Sequence, residues 1–498
     1  MGQKQNDFNP YSSLRLVIAA MPLLSVVAAW IVTGPAAAKT QAMTGPSPAN
    51  PGPPAESGRV VTYAYPPDSP ASQAFKVKAG GMEVFVYRTS SGDFAAFAFK
   101  GSAAVEIETR DPAAGVRIAP ARHKVVPTVD GNHVRFSIPR PMNLLIEIDG
   151  LPQLFLFADA PDSNPPDPEA KGVSYFRAGR SYDAGEIRLR DHETLYIEGG
   201  AVVRGRVRAT SADGVRIAGR GVLDGGSGRQ GAGHRRSILL EGCRNSVVED
   251  IVMIEPAGWM TVLGACRNVT VRNVKELSNS GGTDGVDIVG SSRIRVENCF
   301  FRNGDDCIAV KSLDLRPHDT DATMDYTADV EDVEVSGCAF LAYLGGQAME
   351  IGHELRTASI RNIRFRGCDV LGVHGFGAPF GIHNADRATV SGVLYEDIRV
   401  EHYYNKLIEF RVIKSRWSKD PDRGRIRDVT LRNIDVTVSE YNPGYSVSAI
   451  GGPDAEHNSE QVRFENFRLN GNPALSADDL DLYLKHAKDV TFRQGSGR

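Results

Sequence analysis

Nine segments of the chain repeat one short pattern: an apolar residue, a variable residue, a second apolar residue, then polar residues that turn the chain. They begin with Asn245-Ser-Val-Val-Glu-Asp-Ile251, Asn268-Val-Thr-Val-Arg-Asn-Val274 and Arg293-Ile-Arg-Val-Glu-Asn-Cys299, and run on to Asp489-Val-Thr-Phe-Arg493. The second apolar residue falls at 248, 271, 296, 335, 365, 395, 431, 464 and 492, at intervals of 23 to 39 residues. One such strand cannot bury its apolar pair alone, but stacked coils bury it on the next coil while loops of unequal length leave at the corners. The spacing therefore predicts an all-β architecture, a right-handed parallel β-helix over residues 172–498. A leucine-rich repeat would need a Leu/Asn consensus that is absent.

Ahead of the repeat, residues 59–165 carry short alternating runs such as Phe75-Lys-Val-Lys and Phe94-Ala-Ala-Phe-Ala-Phe, separated by Gly80-Gly81, Ser91-Gly92 and Asp130-Gly131. This reads as an N-terminal β-sandwich. Residues 39–58 are a Pro-rich linker. Residues 1–38 have the order of a signal peptide: Lys4 and Arg15, an apolar run from Leu16 to Val32, then Ala36-Ala37-Ala38. The run is nearly long enough to span a bilayer, so an uncleaved anchor is the alternative. With cleavage, the protein is secreted or periplasmic and has no membrane attachment. Its 57 Lys and Arg against 61 Asp and Glu leave no basic field for nucleic acid. Six cysteines all lie beyond residue 240. A column of buried thiols and a set of disulfides are both compatible with their spacing.

A second column aligns within the same coils: Val286-Asp-Ile288, Ile308-Ala-Val310, Met349-Glu-Ile351, Phe380-Gly-Ile382 and Ile408-Glu-Phe410. With the apolar pairs inward, one outward face collects Asp284, Asp287, Asp306, Gln347, Glu350, His353, His383, Glu409 and Arg411, with Asp305 at the corner beside Asp306. Rungs stack about 4.8 Å apart, so Asp284, Asp305 and Asp306 fall within one rung of one another. Crowded carboxylates push at least one pKa upward, and a protonated acid beside an ionised carboxylate is what glycoside hydrolysis requires. Aspartates also serve as ordinary turn residues; it is the three together at one-coil spacing that point to catalysis.

Gly282-Thr-Asp284-Gly-Val-Asp287 followed by Gly304-Asp305-Asp306-Cys307 resembles the Asn-Thr-Asp and Asp-Asp motifs of polygalacturonase-type glycoside hydrolases (family 28). A β-sandwich before the β-helix is similar to the dextranase and isopullulanase family (family 49). The resemblance implies an inverting hydrolase with Asp305 as general acid and Asp284 and Asp306 activating water, without cofactor or metal. Two departures bear on the substrate. Where the family carries Gly-His-Gly, this chain has Gly346-Gln347-Ala348, and where it carries Arg-Ile-Lys, this chain has Gly381-Ile382-His383. The family's grip on a galacturonate carboxylate is missing, which points to a neutral or decorated polysaccharide or oligosaccharide rather than pectin. Asp287, Lys311, Gln347, Glu350, His353, His383, Glu409 and Arg411 are the expected substrate-binding residues.

Two other functions remain open. A polysaccharide lyase on this fold would need a base beside a uronate. A non-catalytic carbohydrate-binding β-helix would need stacking aromatics, for which Trp259, Trp417, Tyr403 and Tyr404 are available. The insertion 313–332 holds six aspartates and reads either as a solvated loop or as a Ca²⁺ site. The oligomeric state has no signature in the sequence.

Overall fold

The nine repeat positions form a single column. Val248 pairs in parallel with Val271, which pairs with Val296 and then Val335. The column continues through Phe365, Tyr395, Leu431 and Phe464 to Phe492. Each coil places an aliphatic or aromatic side chain directly on its neighbour in the lumen, and nearly all of these are fully buried. Outside, the same strands alternate charge from coil to coil: Arg366 bridges Glu396 at 2.6 Å, and Arg432 bridges Glu465 at 2.7 Å and Glu396 at 3.2 Å. The bends after these strands use Asn and Asp in the left-handed region, among them Asn273, Asn298, Asp397 and Asn433, because their short polar side chains tolerate that conformation.

The computed structural model describes residues 59–226, 236–317, 321–438 and 447–495. The signal and linker segments at 1–58 lie outside the described residues. Thirty-one strands from Val173–Phe176 to Thr491–Arg493 form one continuous parallel-wound sheet, a parallel β-helix. Before it stand a six-stranded sheet that includes Gly92–Phe99, Met142–Glu147 and Leu154–Asp159, and a five-stranded sheet that includes Phe75–Ala79, Ala103–Thr109 and His133–Ile138. The six-stranded sheet lies on one flank of the β-helix. Phe155 and Phe157 meet Phe300 edge-on at 5.7 and 5.6 Å, within a shared cluster that includes Val222, Val252, Leu277, Leu341 and Leu371. A buried ion pair of Lys275 with Asp159 at 2.8 Å crosses the same junction.

All six cysteines are free and buried. Cys299, Cys338 and Cys368 lie on consecutive coils, with the Cys299 N–H donating to the Cys338 sulfur at 3.4 Å. Burial pushes the Cys338 thiol well above its usual range, which makes it a packing element rather than a nucleophile.

The insertion at 313–332 is tied down by protein groups. Tyr326 is fully buried, its hydroxyl donates to Glu241 at 2.7 Å, and the Thr323 N–H donates to the same carboxylate at 2.7 Å. Asp321 pairs with Arg206 at 2.7 Å, and Asp329 accepts from Thr357 at 2.6 Å. These aspartates anchor the loop instead of converging on a common point; Asp319 lies outside the described residues.

Candidate active site

The strands of the second column pair in the register that their apolar residues dictate. Val286 faces Ile308, Ile308 faces Met349, Met349 faces Phe380, and Phe380 faces Ile408. Asp284 and Asp306 each lie two residues before their strand and therefore stack, with Gln347 above them in the same position. Close backbone approach sets this edge. A Cβ on Gly346, at φ +70°, would lie 2.3 Å from the Asp305 carbonyl carbon, and one on Gly377 would lie 1.5 Å from the Gly346 oxygen. Only glycine lets the successive corners close directly above the acids.

Asp284, Asp305 and Asp306 line one cleft of about 360 Å³, with Trp259, Lys311, Gln347, His353, Glu354, Phe376, Arg416 and Trp417. Lys311 donates to Asp284 Oδ2 at 2.7 Å and to Asp287 Oδ1 at 2.8 Å. Burial alone would lower its pKa, but these carboxylates outweigh it and hold the ammonium well above its usual range. Asp305 accepts from the Gly282 N–H at 2.9 Å. Burial first, and the Asp284 charge second, push Asp305 up to about 6. Asp306 accepts from the Gln347 N–H at 2.7 Å and is also pushed up, by burial and then by Asp284, Asp305 and Glu350.

The expected binding residues divide. Lys311, Gln347 and His353 reach the cleft with the three aspartates. Asp287, Glu350, His383 and Glu409 lie on the same strands but are buried and do not line it. His383 sits between two carboxylates, Nδ1 at 2.8 Å from Glu350 and Nε2 at 3.2 Å from Glu409. Burial opposes its charge, but the glutamates prevail and raise it to about 9. Arg411 pairs with Glu409 at 3.2 Å and borders a separate cavity of about 940 Å³ on the C-terminal coils, away from the acids. His353 stacks on His383, centroids 4.5 Å apart and planes 7° apart, and burial lowers it to about 4.

Glu354, Phe376 and Arg416 are cleft residues that the column pattern does not pick out. Glu354 and His353 emerge because the strand Met349–Leu355 bulges: its register against Ile308–Ser312 shifts between Val310 and Ser312. Phe376 carried one signal, its place between Gly375 and Gly377. Among the described residues, Glu350, His353 and His383 are the group whose potential ligand atoms gather within 4.8 Å. His383 places both ring nitrogens against carboxylates, those of Glu350 and Glu409. His353 Nδ1 and Glu350 Oε2 are buried without a hydrogen-bond partner among the described residues.

A parallel β-helix with acids clustered on one outward sheet is the architecture of pectin-lyase-like carbohydrate-active proteins. The family model of glycosyl hydrolases family 28 matches residues 186–477, more than half of the chain, and the chain belongs to that family. A probable polygalacturonase of Arabidopsis thaliana is 22% identical over 305 residues, an alignment that spans 58% of this chain and 56% of that one. A probable rhamnogalacturonase A of Aspergillus niger is 35% identical over 78 residues, 16% of this chain and 17% of its own. Among solved structures, Dex49A from Penicillium minioluteum superposes with a TM-score of 0.52 at 12% identity, covering 88% of this chain and 97% of its own. That coverage exceeds the β-helix alone and reflects a common fold.

Proposed function

We propose that this protein hydrolyses O-glycosidic bonds of a polysaccharide or oligosaccharide. The observation that carries the reading is the raised Asp305 carboxyl, about 6, in one cleft with an Asp284 carboxylate fixed by an ammonium. Asp305, protonated below its pKa, gives its proton to the glycosidic oxygen as the bond to the anomeric carbon breaks. Asp284, with one oxygen held by Lys311 and the residue lining the cleft, takes a proton from the water that attacks that carbon. Asp306, oriented by the Gln347 N–H, shares the water. Inversion of the anomeric centre is what the family resemblance implies.

The substrate is a neutral or sparsely charged glycan. Where a uronate clamp would stand, His383 is neutralised by Glu350 and Glu409, and Lys311 by Asp284 and Asp287. Arg416 lies over Trp417 at 4.5 Å at the rim. A lyase is not favoured, because abstraction needs an unprotonated base and Lys311 is held firmly charged in its ion pairs. No helix of the described residues is long and apolar enough to cross a membrane. Export rests on the N-terminal sequence.

The test is a glycan panel digested with the wild-type protein and with Asp305→Asn. New reducing ends without the ultraviolet absorbance of unsaturated uronates, lost in the variant, are expected. Unsaturated ends, or equal activity of the two proteins, would refute the assignment.

A further inference from the structure

The outward positions along the sheet that carries the acids run Leu239, Val262, Asp287, Ala309, Glu350, Gly381 and Glu409, coil by coil. On the two coils before Asp287 these positions are apolar, yet buried: Leu239 is 4% exposed and Val262 0%. The 313–332 insertion covers them. Leu313, Leu315 and Tyr326 pack on Leu239, Val262 and Val289 as a separate apolar cluster, and the Gly264 backbone lies so close to the Tyr326 ring that a Cβ there would be 2.5 Å from it. Trp259 stands at the boundary, with Lys311 at 3.9 Å and Arg236 at 4.3 Å from its ring centroid. Among the described residues, Trp259 lines the cleft on the side of the coils that the insertion covers.

The C-terminal side differs. Phe376 is 71% exposed and Trp417 43%, although both line the cleft. They rise from opposite edges of the sheet, Phe376 ahead of the strand Phe380–Asn384 and Trp417 after Ile408–Val412. Large aromatics this exposed beside a polar cleft suit the C–H face of a pyranose. A pyranose is about as long as the rung spacing, about 4.8 Å. Phe376 belongs to the second coil beyond Asp305, hence about two sugars from the bond to be cut. The cleft has a volume of about 360 Å³, within the range of small-ligand sites.

We infer that the cleft receives the end of a glycan chain against Trp259 and holds the following sugars between Phe376 and Trp417, so that the enzyme trims chain ends instead of cutting within chains. This rests on the hydrolase reading above. The charge balance of the cleft makes the bound sugars neutral ones.

The experiment digests dextran, β-glucan, galactan, xylan, rhamnogalacturonan and polygalacturonate, and follows viscosity, reducing ends and product size together. On whichever polymer is cut, reducing ends should rise with one small product from the first time point and almost unchanged viscosity. A ladder of intermediate sizes with an early fall in viscosity leaves hydrolysis standing and overturns the end-acting cleft. If no polymer and no aryl glycoside is cut, the hydrolase reading falls and this one with it. On oligosaccharides of the polymer that is cut, Phe376→Ala should lower kcat/KM at least tenfold more for the trisaccharide and longer chains than for the disaccharide. Equal losses at every length would remove the aromatic subsite.

Discussion

Glu276 is a carboxyl with no part in the proposed chemistry, and it makes the stability of the β-helix depend on pH. It is fully buried, accepts from Thr261 Oγ1 at 3.0 Å and from Asn303 Nδ2 at 3.4 Å, and has no cation among the causes of its shift. Burial raises it from 4.5 to about 8. Because the folded form holds the proton more tightly than the unfolded chain, its contribution is fully present below about pH 4.5 and is lost as pH rises through about 8. The difference between the two states amounts to roughly 5 kcal/mol once both are ionised. Gln keeps the shape and the acceptor oxygen of the protonated acid but never ionises. Glu276→Gln should therefore lie within about 1 kcal/mol of wild type at pH 5 and be more stable by about 3–4 kcal/mol at pH 9. Guanidinium unfolding of both proteins across that range gives the difference directly, provided the slopes match. A difference that stays constant with pH would refute the argument, because it would mean that Glu276 is already ionised in the fold or exchanges its proton with a neighbour.

Asp305→Asn should lower kcat on a natural linkage by about 10²–10⁴-fold without changing the unfolding midpoint by more than a little, read by a reducing-end assay and by thermal melting. In the wild type, kcat/KM should fall as pH rises through about 6, as Asp305 loses its proton; a flat profile from pH 5 to 8 would remove Asp305 as the acid. Lys311→Met leaves Asp284 and Asp287 buried without their ammonium and should destabilise by about 3–5 kcal/mol in denaturant unfolding. Gly377→Ala drives a Cβ into the Gly346 oxygen, displacing the corner above Asp305, and should lower activity far more than stability.

The coils were legible in the sequence because lumen positions hold apolar side chains, mostly Val, Ile, Leu, Phe and Cys with Tyr395 and Met349 among them, so each repeat states its own register. The acids were legible because one coil separates Asp284 from Asp305, whatever the loop between them does. The division between cleft and buried network was not. Alternation places Glu350 and Glu409 outward with Asp287, but only the structure brings in the flanking side chains that cover them, His383 among them. The bulge at Gly352–Glu354 breaks the alternation by which His353 would be judged. The insertion, with aspartates close in sequence, reads either as a solvated loop or as a Ca²⁺ site. Their partners, Arg206 and Thr357, come from coils before and after the loop, and no local pattern announces them.

The junction between the N-terminal sheets and the β-helix has a consequence for synthesis. Phe94, Phe155 and Phe157 are complete early in translation, but their apolar neighbours on the β-helix run from Val202 through Phe300 to Leu371. Asp159 waits for Lys275, and the Arg117 side chain waits for Glu401, 284 residues later. Until those coils are made, the nascent chain carries an aromatic face without its β-helix partners, a state of the kind in which multidomain chains aggregate. The sandwich expressed by itself inherits that face permanently. It is not a detachable module.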